Sequence, residues 1–201
     1  MMSPRFEARS VTWSTTVEYS QQERALLLGL AHRSIEAALE GRKIDFTAPS
    51  AHLYAMRGAF TTLHLGGKLR GCIGYVVPRY SLYRTVAEAA QAAAFEDPRF
   101  QPVTAEEVGD LSIEISVLSP PRPIRAEEVA VGVHGLIVTQ GNRRGLLLPQ
   151  VPVLWHWNRE TFLSQTCIKA GLPADSWMQG ADLQAFTAEV FGEEVPAVEP
   201  E

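Results

Sequence analysis

Only two cysteines, Cys72 and Cys167, occur in 201 residues, and they stand far apart, in neither a CxxC pair nor a Cys/His cluster. That spacing indicates no disulfide framework and no zinc-ligand set, so no metal is expected, and both residues are expected as free thiols of a reducing compartment. Positive charge is also short: 18 Lys and Arg stand against 23 Asp and Glu, for a net charge of -5 and a pI near 5.6. No stretch gathers basic residues densely enough to neutralise a run of phosphates, which argues against nucleic acid as a direct partner. Residues 1–19 carry Arg5, Glu7, Arg9 and Glu18 and no apolar run that could serve as a signal core or a membrane span. A cytoplasmic location away from any membrane is the expectation. Internal repeats, low-complexity segments and a glycine-rich phosphate loop following a strand are all missing, and no cofactor is indicated. The length suits one domain, with a core at about residues 20–192 and flexible ends.

What is present reads as alternating helices and hairpins. Ser20 with Glu23 three residues on forms a capping box for a helix over 24–40, and Gly41 stands where a left-handed residue closes a helix. Residues 59–65 alternate as a strand, and Gly66-Gly67 predicts a two-residue turn returning through 68–73. Ser81 caps an alanine-rich helix to about Phe95, which Asp97-Pro98 stops. Thr104 and Glu107 form a second capping pair, and 111–118 alternates Leu111, Ile113, Ile115 and Val117 with Ser112, Glu114 and Ser116. Ser119 to Pro123 is a stiff connection. Residues 135–139 and 145–148 pair around Gly141-Asn142-Arg143-Arg144, and Asn158 caps a helix over 159–170. The 182–191 segment is ambiguous, leaning to strand. The class is α+β with mainly antiparallel pairing.

Cys72 is the leading candidate for chemistry, because it lies between two glycines and two residues after Arg70. A cation and exposed backbone amides beside a thiol favour its nucleophilic form; the plain alternative is a small core residue. With the two-residue turn, Leu65 is expected opposite Lys68, His64 opposite Leu69, Leu63 opposite Arg70 and Thr61 opposite Cys72. That register puts Cys72 and His64 on opposite faces, so a direct dyad between them is not expected. Glu114, on the polar face of its strand between two isoleucines, is a candidate acid or base or else a solvated carboxylate. Arg70 could clamp a substrate anion or bridge to Glu114. Asp97 and Arg99, flanking Pro98, are candidate substrate-binding residues whose default role is a local cap and ion pair. Trp155-His156-Trp157 reads as core packing before it reads as a ligand platform or interface, and Cys167 reads as an inert member of a helical core stripe.

Seven segments taken together resemble the AMMECR family in order and spacing. They are Gly58-Ala59-Phe60-Thr61-Thr62-Leu63, Leu69-Arg70-Gly71-Cys72-Ile73-Gly74, Asp97-Pro98-Arg99-Phe100, Glu114-Ile115-Ser116-Val117-Leu118-Ser119-Pro120, Gly135-Leu136-Ile137-Val138, Leu146-Leu147-Leu148-Pro149-Gln150-Val151 and Cys167-Ile168-Lys169-Ala170-Gly171-Leu172. The resemblance implies two unequal lobes with a cleft between them, the larger an antiparallel sheet with flanking helices, and residues 70–74 directed into the cleft. It also implies a genetic association with a Memo-like protein and a radical S-adenosylmethionine enzyme as possible partners, beside a possible small-molecule ligand. Two functions compete: a cysteine-dependent enzyme or enzyme component acting through Cys72, Arg70 and Glu114, and a non-catalytic adaptor. One departure is visible, His156-Trp157-Asn158 where Gly-Trp-Asp would be expected.

Overall fold

A computed structural model describes residues 18–194; the expected flexible ends lie outside the described residues. In chain order the elements are α1 (Gln21–Leu39), β1 (Ala59–Leu65), β2 (Lys68–Tyr75), α2 (Leu82–Phe95), β3 (Leu111–Leu118), β4 (Arg122–Pro123), β5 (Gly135–Gln140), β6 (Arg143–Leu147), α3 (Gln150–Leu154), α4 (Arg159–Lys169), β7 (Asp182–Phe186) and β8 (Ala188–Gly192). The strands form two antiparallel four-stranded sheets, ordered β2-β1-β3-β8 and β4-β7-β5-β6. This is the expected α+β architecture. Both sheets have four strands, so the inequality of the lobes lies in the helices: α1 and α2 cover the first sheet, while the short α3 and α4 belong to the second lobe.

Local sequence explains most of these boundaries. Ser20 and Glu23 make the reciprocal capping box that starts α1. Ser81 accepts from the Arg84 amide at α2, and Asn158 from the Thr161 amide at α4. Gly66 and Gly67 both have positive φ, as a tight turn with the twist of a hairpin requires. The alanine face of α2 lets a helix lie against backbone rather than side chains. A β-carbon on Gly71 would strike the carbonyl oxygen of Ala93, so this contact admits only glycine. The first core then fills with Leu27, Leu30, Ile35, Leu63, Val86, Ile113 and Ile115.

The second lobe is inserted between β3 and β8. Its own clusters hold Val129, Leu136, Phe162 and Leu163, and then Val138, Cys167 and Leu172. The chain leaves and re-enters side by side: the Ser119 amide donates to the Thr187 carbonyl and the Thr187 amide to Ser119 Oγ, both at 2.9 Å. The two lobes meet through Leu118, Ile137 and Phe186, with Phe60, Leu146 and Leu148 packed against them.

Several expectations need correction. The ambiguous 182–191 stretch is two strands in different sheets, divided at Thr187, because that residue sits on the crossing between lobes. The β5–β6 turn is only Gly141-Asn142, since Arg143 and Arg144 already pair. Arg122–Pro123, taken as a plain connection, pairs with β7. Trp155 is not core: it is 68% exposed, stacked at 6.4 Å on the half-buried Trp157. His156 has φ 53, which accounts for the glycine expected at that position. No described helix is long and apolar enough to cross a membrane.

Candidate functional site

β1 and β2 leave their turn in the expected register, with Leu65 opposite Lys68 and His64 opposite Leu69. Between Leu63 and His64 the register shifts by one, so that Leu63 faces Gly71 and Thr62 faces Cys72. Arg70 is the extra residue of a β-bulge. The expected pairs Leu63–Arg70 and Thr61–Cys72 are therefore corrected, and with them the separation of Cys72 from His64. Two contacts set the bulge. Gly71 must face α2, where no side chain fits, and Arg70 is pulled sideways by the loop that follows α2. Cys72 consequently turns to the sheet face opposite the helices, the face of Phe60, Thr62 and His64.

Across β1, Thr62 also faces Glu114 of β3. Glu114, Thr62 and Cys72 thus form one row on one face, the outer two separated by two strand spacings, roughly 10 Å. Thr62 Oγ1 donates to Cys72 Sγ at 3.3 Å. His64 is the diagonal neighbour of both Cys72 and Glu114, and among the described residues no hydrogen bond joins it to either. Its Nδ1 is buried and meets no hydrogen-bond partner among the described residues. Glu114 is half-buried, and among the described residues no group donates a hydrogen bond to its carboxylate. The places of His64 and Thr62 beside Cys72 both depend on the bulge, and a glycine inside the strand, Gly71, is the local signal for it.

β2 is an edge strand, and Asp97 caps its open side. Asp97 Oδ2 accepts from the Cys72 amide at 2.9 Å and from Arg99 Nη2 at 2.7 Å, while Oδ1 accepts from Arg99 Nε at 2.9 Å and the Arg99 amide at 3.1 Å. The carboxylate is almost fully buried, its side chain 2% exposed, whereas Arg99 remains 54% exposed. Hydrogen bonds from the Arg99 guanidinium, then those from the Cys72 and Arg99 amides, hold the Asp97 carboxyl well below the usual carboxylate range against the opposing effect of burial. Asp97 in turn pushes Arg99 upward, and the thiol of Cys72 adds a smaller push. The local ion pair expected of Asp97 and Arg99 is present, and it is built onto the backbone of Cys72.

Arg70 does not join this group. Its Nε and Nη2 form a fork on Glu107, each at 2.9 Å, and Nη1 donates to the Gln101 carbonyl at 2.8 Å. A guanidinium so engaged does not bridge to Glu114; it pins the loop after α2 to β2, and the pull of Glu107 is the reason. Cys167 is buried in the second lobe, where desolvation raises its pKa, as expected of an inert core thiol. Among the described residues, concavities lie elsewhere: one beside α1 and residues 42–47 with a volume near 400 Å³, an open one of about 660 Å³ at the β1–β2 turn, and a small one beside Trp177. Among the described residues no group of three or more His, Cys, Asp or Glu is arranged to hold a metal ion.

Comparison with known proteins follows the same residues. The family model AMMECR1 matches residues 28–191. A protein of Thermococcus gammatolerans is 45% identical over 186 residues, covering 85% of this chain and 90% of its own length. One from Methanothermobacter thermautotrophicus is 44% identical, covering 87% and 96%. Among solved structures, the crystal structure of uncharacterized protein PH0010 from Pyrococcus horikoshii superposes with a TM-score of 0.73 at 44% identity, covering 85% of this chain and 91% of that one.

Proposed function

The chain belongs to the AMMECR1 family, and on that premise we propose that it is a cysteine-dependent enzyme, or the cysteine-bearing component of one, acting on a small molecule. The observation that carries this reading is the bulge at Leu63/His64, which turns Cys72 onto the face of His64 and into line with Thr62 and Glu114. In this reading the Cys72 sulfur forms a bond to an electrophilic carbon of the substrate, and the thiol proton passes to His64. His64 then returns that proton to the leaving group. Thr62 steadies the sulfur by hydrogen bonding, and the unpartnered Nδ1 of His64 is the atom that takes the proton, with the Glu114 carboxylate farther along the same face. Alkylation of the folded protein with iodoacetamide, read peptide by peptide by mass spectrometry, tests it. Cys72 is expected to be labelled at near-neutral pH well before Cys167. Labelling of neither thiol, or of both at one rate, overturns the nucleophile reading.

A second reading is favoured by a different observation. Leu154 and Trp155, side by side at the end of α3, are 57% and 68% exposed, as an adaptor's contact surface would be. Its partners would be the Memo-like protein and the radical S-adenosylmethionine enzyme. Co-purification with either that survives Cys72→Ser and is lost in Trp155→Ala supports the adaptor.

A further inference from the structure

The Asp97–Arg99 pair is more than a strand cap. Asp97 Oδ2 is shared by the Cys72 amide and Arg99 Nη2, which places the guanidinium within two hydrogen-bond lengths of the Cys72 backbone. Three of the guanidinium's surroundings are fixed: Nε and Nη2 on Asp97, and the plane near the Phe100 ring, with the guanidinium carbon 5.3 Å from its centroid. Nη1 meets no acceptor among the described residues, and the side chain is half exposed. A guanidinium held rigid at one edge and open at the other is preorganised for a carboxylate or phosphate, since no side-chain freedom is lost when the anion arrives. Arg70, the arginine nearer in sequence, is already spent on Glu107.

We infer that the Cys72 site takes a substrate bearing a carboxylate or phosphate group, anchored by Arg99 at the β2 edge with its electrophilic carbon over Cys72 Sγ. This rests on the nucleophile reading above and adds the chemical class. The row has a direction: the open Nη1 of an Arg99 already paired to Asp97 at the β2 edge, then thiol and hydroxyl, then the Glu114 carboxylate two strands away. An anion is drawn to one end and repelled from the other, which sets the substrate's orientation.

Two alkylating agents of nearly equal size separate these ideas. Iodoacetate carries a carboxylate and iodoacetamide does not, and each transfers its methylene carbon to sulfur with loss of iodide. Relative to glutathione under the same conditions, Cys72 should show an iodoacetate-to-iodoacetamide rate ratio raised about tenfold, the low end of what one hydrogen bond to a charged group contributes. Arg99→Gln should bring the ratio down to that of glutathione, and Arg99→Lys should keep part of it. Inorganic phosphate, compared with chloride at equal ionic strength, should slow iodoacetamide on the wild type; should Arg99→Gln fail to fold, this titration decides alone. Prompt labelling of Cys72 by iodoacetamide with a glutathione-like ratio and no phosphate protection overturns the anion site and leaves the nucleophile standing. Absence of labelling by either reagent overturns the nucleophile itself.

Discussion

Asp97→Asn is the substitution on which the structure makes its sharpest demand. The carboxylate accepts four hydrogen bonds, from the Cys72 amide, the Arg99 amide, Arg99 Nε and Arg99 Nη2, with its own side chain 2% exposed. An asparagine keeps one oxygen and points an amide group at donors where the other stood, so about two of the four bonds are lost. Hydrogen bonds to a charged group contribute about 1.5–3 kcal/mol each, and the Arg99 half counts at the low end because that side chain is solvent-screened. The expected cost is about 3 kcal/mol, or a fall in Tm of about 6–12 °C for a chain of this size. The effect also depends on pH. The folded carboxyl lies below its unfolded value of about 3.9. Its stabilisation is therefore complete above that pH and is lost as pH falls toward the folded value. Urea denaturation of wild type and Asp97→Asn at pH 7, 5 and 3 should give a constant gap at the first two. Below about pH 3.9 the gap should shrink by up to about 1.4 kcal/mol per unit. A gap under about 1 kcal/mol at pH 7, or one as large at pH 3 as at pH 5, would refute the assignment of Asp97 as the keystone of the β2 edge.

Arg70→Gln should cost about 2 kcal/mol in urea denaturation, because it breaks a fork on Glu107 whose arginine is only 14% exposed. It should leave the iodoacetamide rate at Cys72 within about twofold; a tenfold loss of that rate at unchanged stability would show that Arg70 acts on the thiol after all. Gly71→Ala should cost about 3 kcal/mol or prevent folding, since its β-carbon meets the Ala93 backbone, which cannot rotate away. A measured cost under about 1 kcal/mol would mean that α2 and β2 are less tightly apposed than the structure has them.

Caps and alternation made most elements of the first lobe, and α4 of the second, legible without any structure. Ser20 with Glu23, Ser81 and Asn158 are local devices, complete within four residues, and the alternation of 111–118 is set by which side chains water will tolerate. The Gly66-Gly67 turn was equally local. Elements whose reason lies elsewhere in the chain were not readable in this way. β4 exists because β7 runs beside it, and β7 and β8 part company because the lobes do. The candidate site divides along the same line. Cys72, Asp97, Arg99 and Glu114 stand out by residue type and neighbours, and the Asp97–Arg99 pair needs only two residues of chain. Their relation does not. Whether Cys72 looks toward Leu63 or toward Thr62 turns on a single inserted residue, and period-two geometry makes that one step a complete change of face. The composition and local pattern determined that this chain would be an antiparallel α+β protein with a glycine-flanked thiol. Only the packing of Gly71 on Ala93 and of Arg70 on Glu107 decided which way that thiol faces, because a bulge is chosen by the long-range contacts on either side of it and not by the strand that carries it.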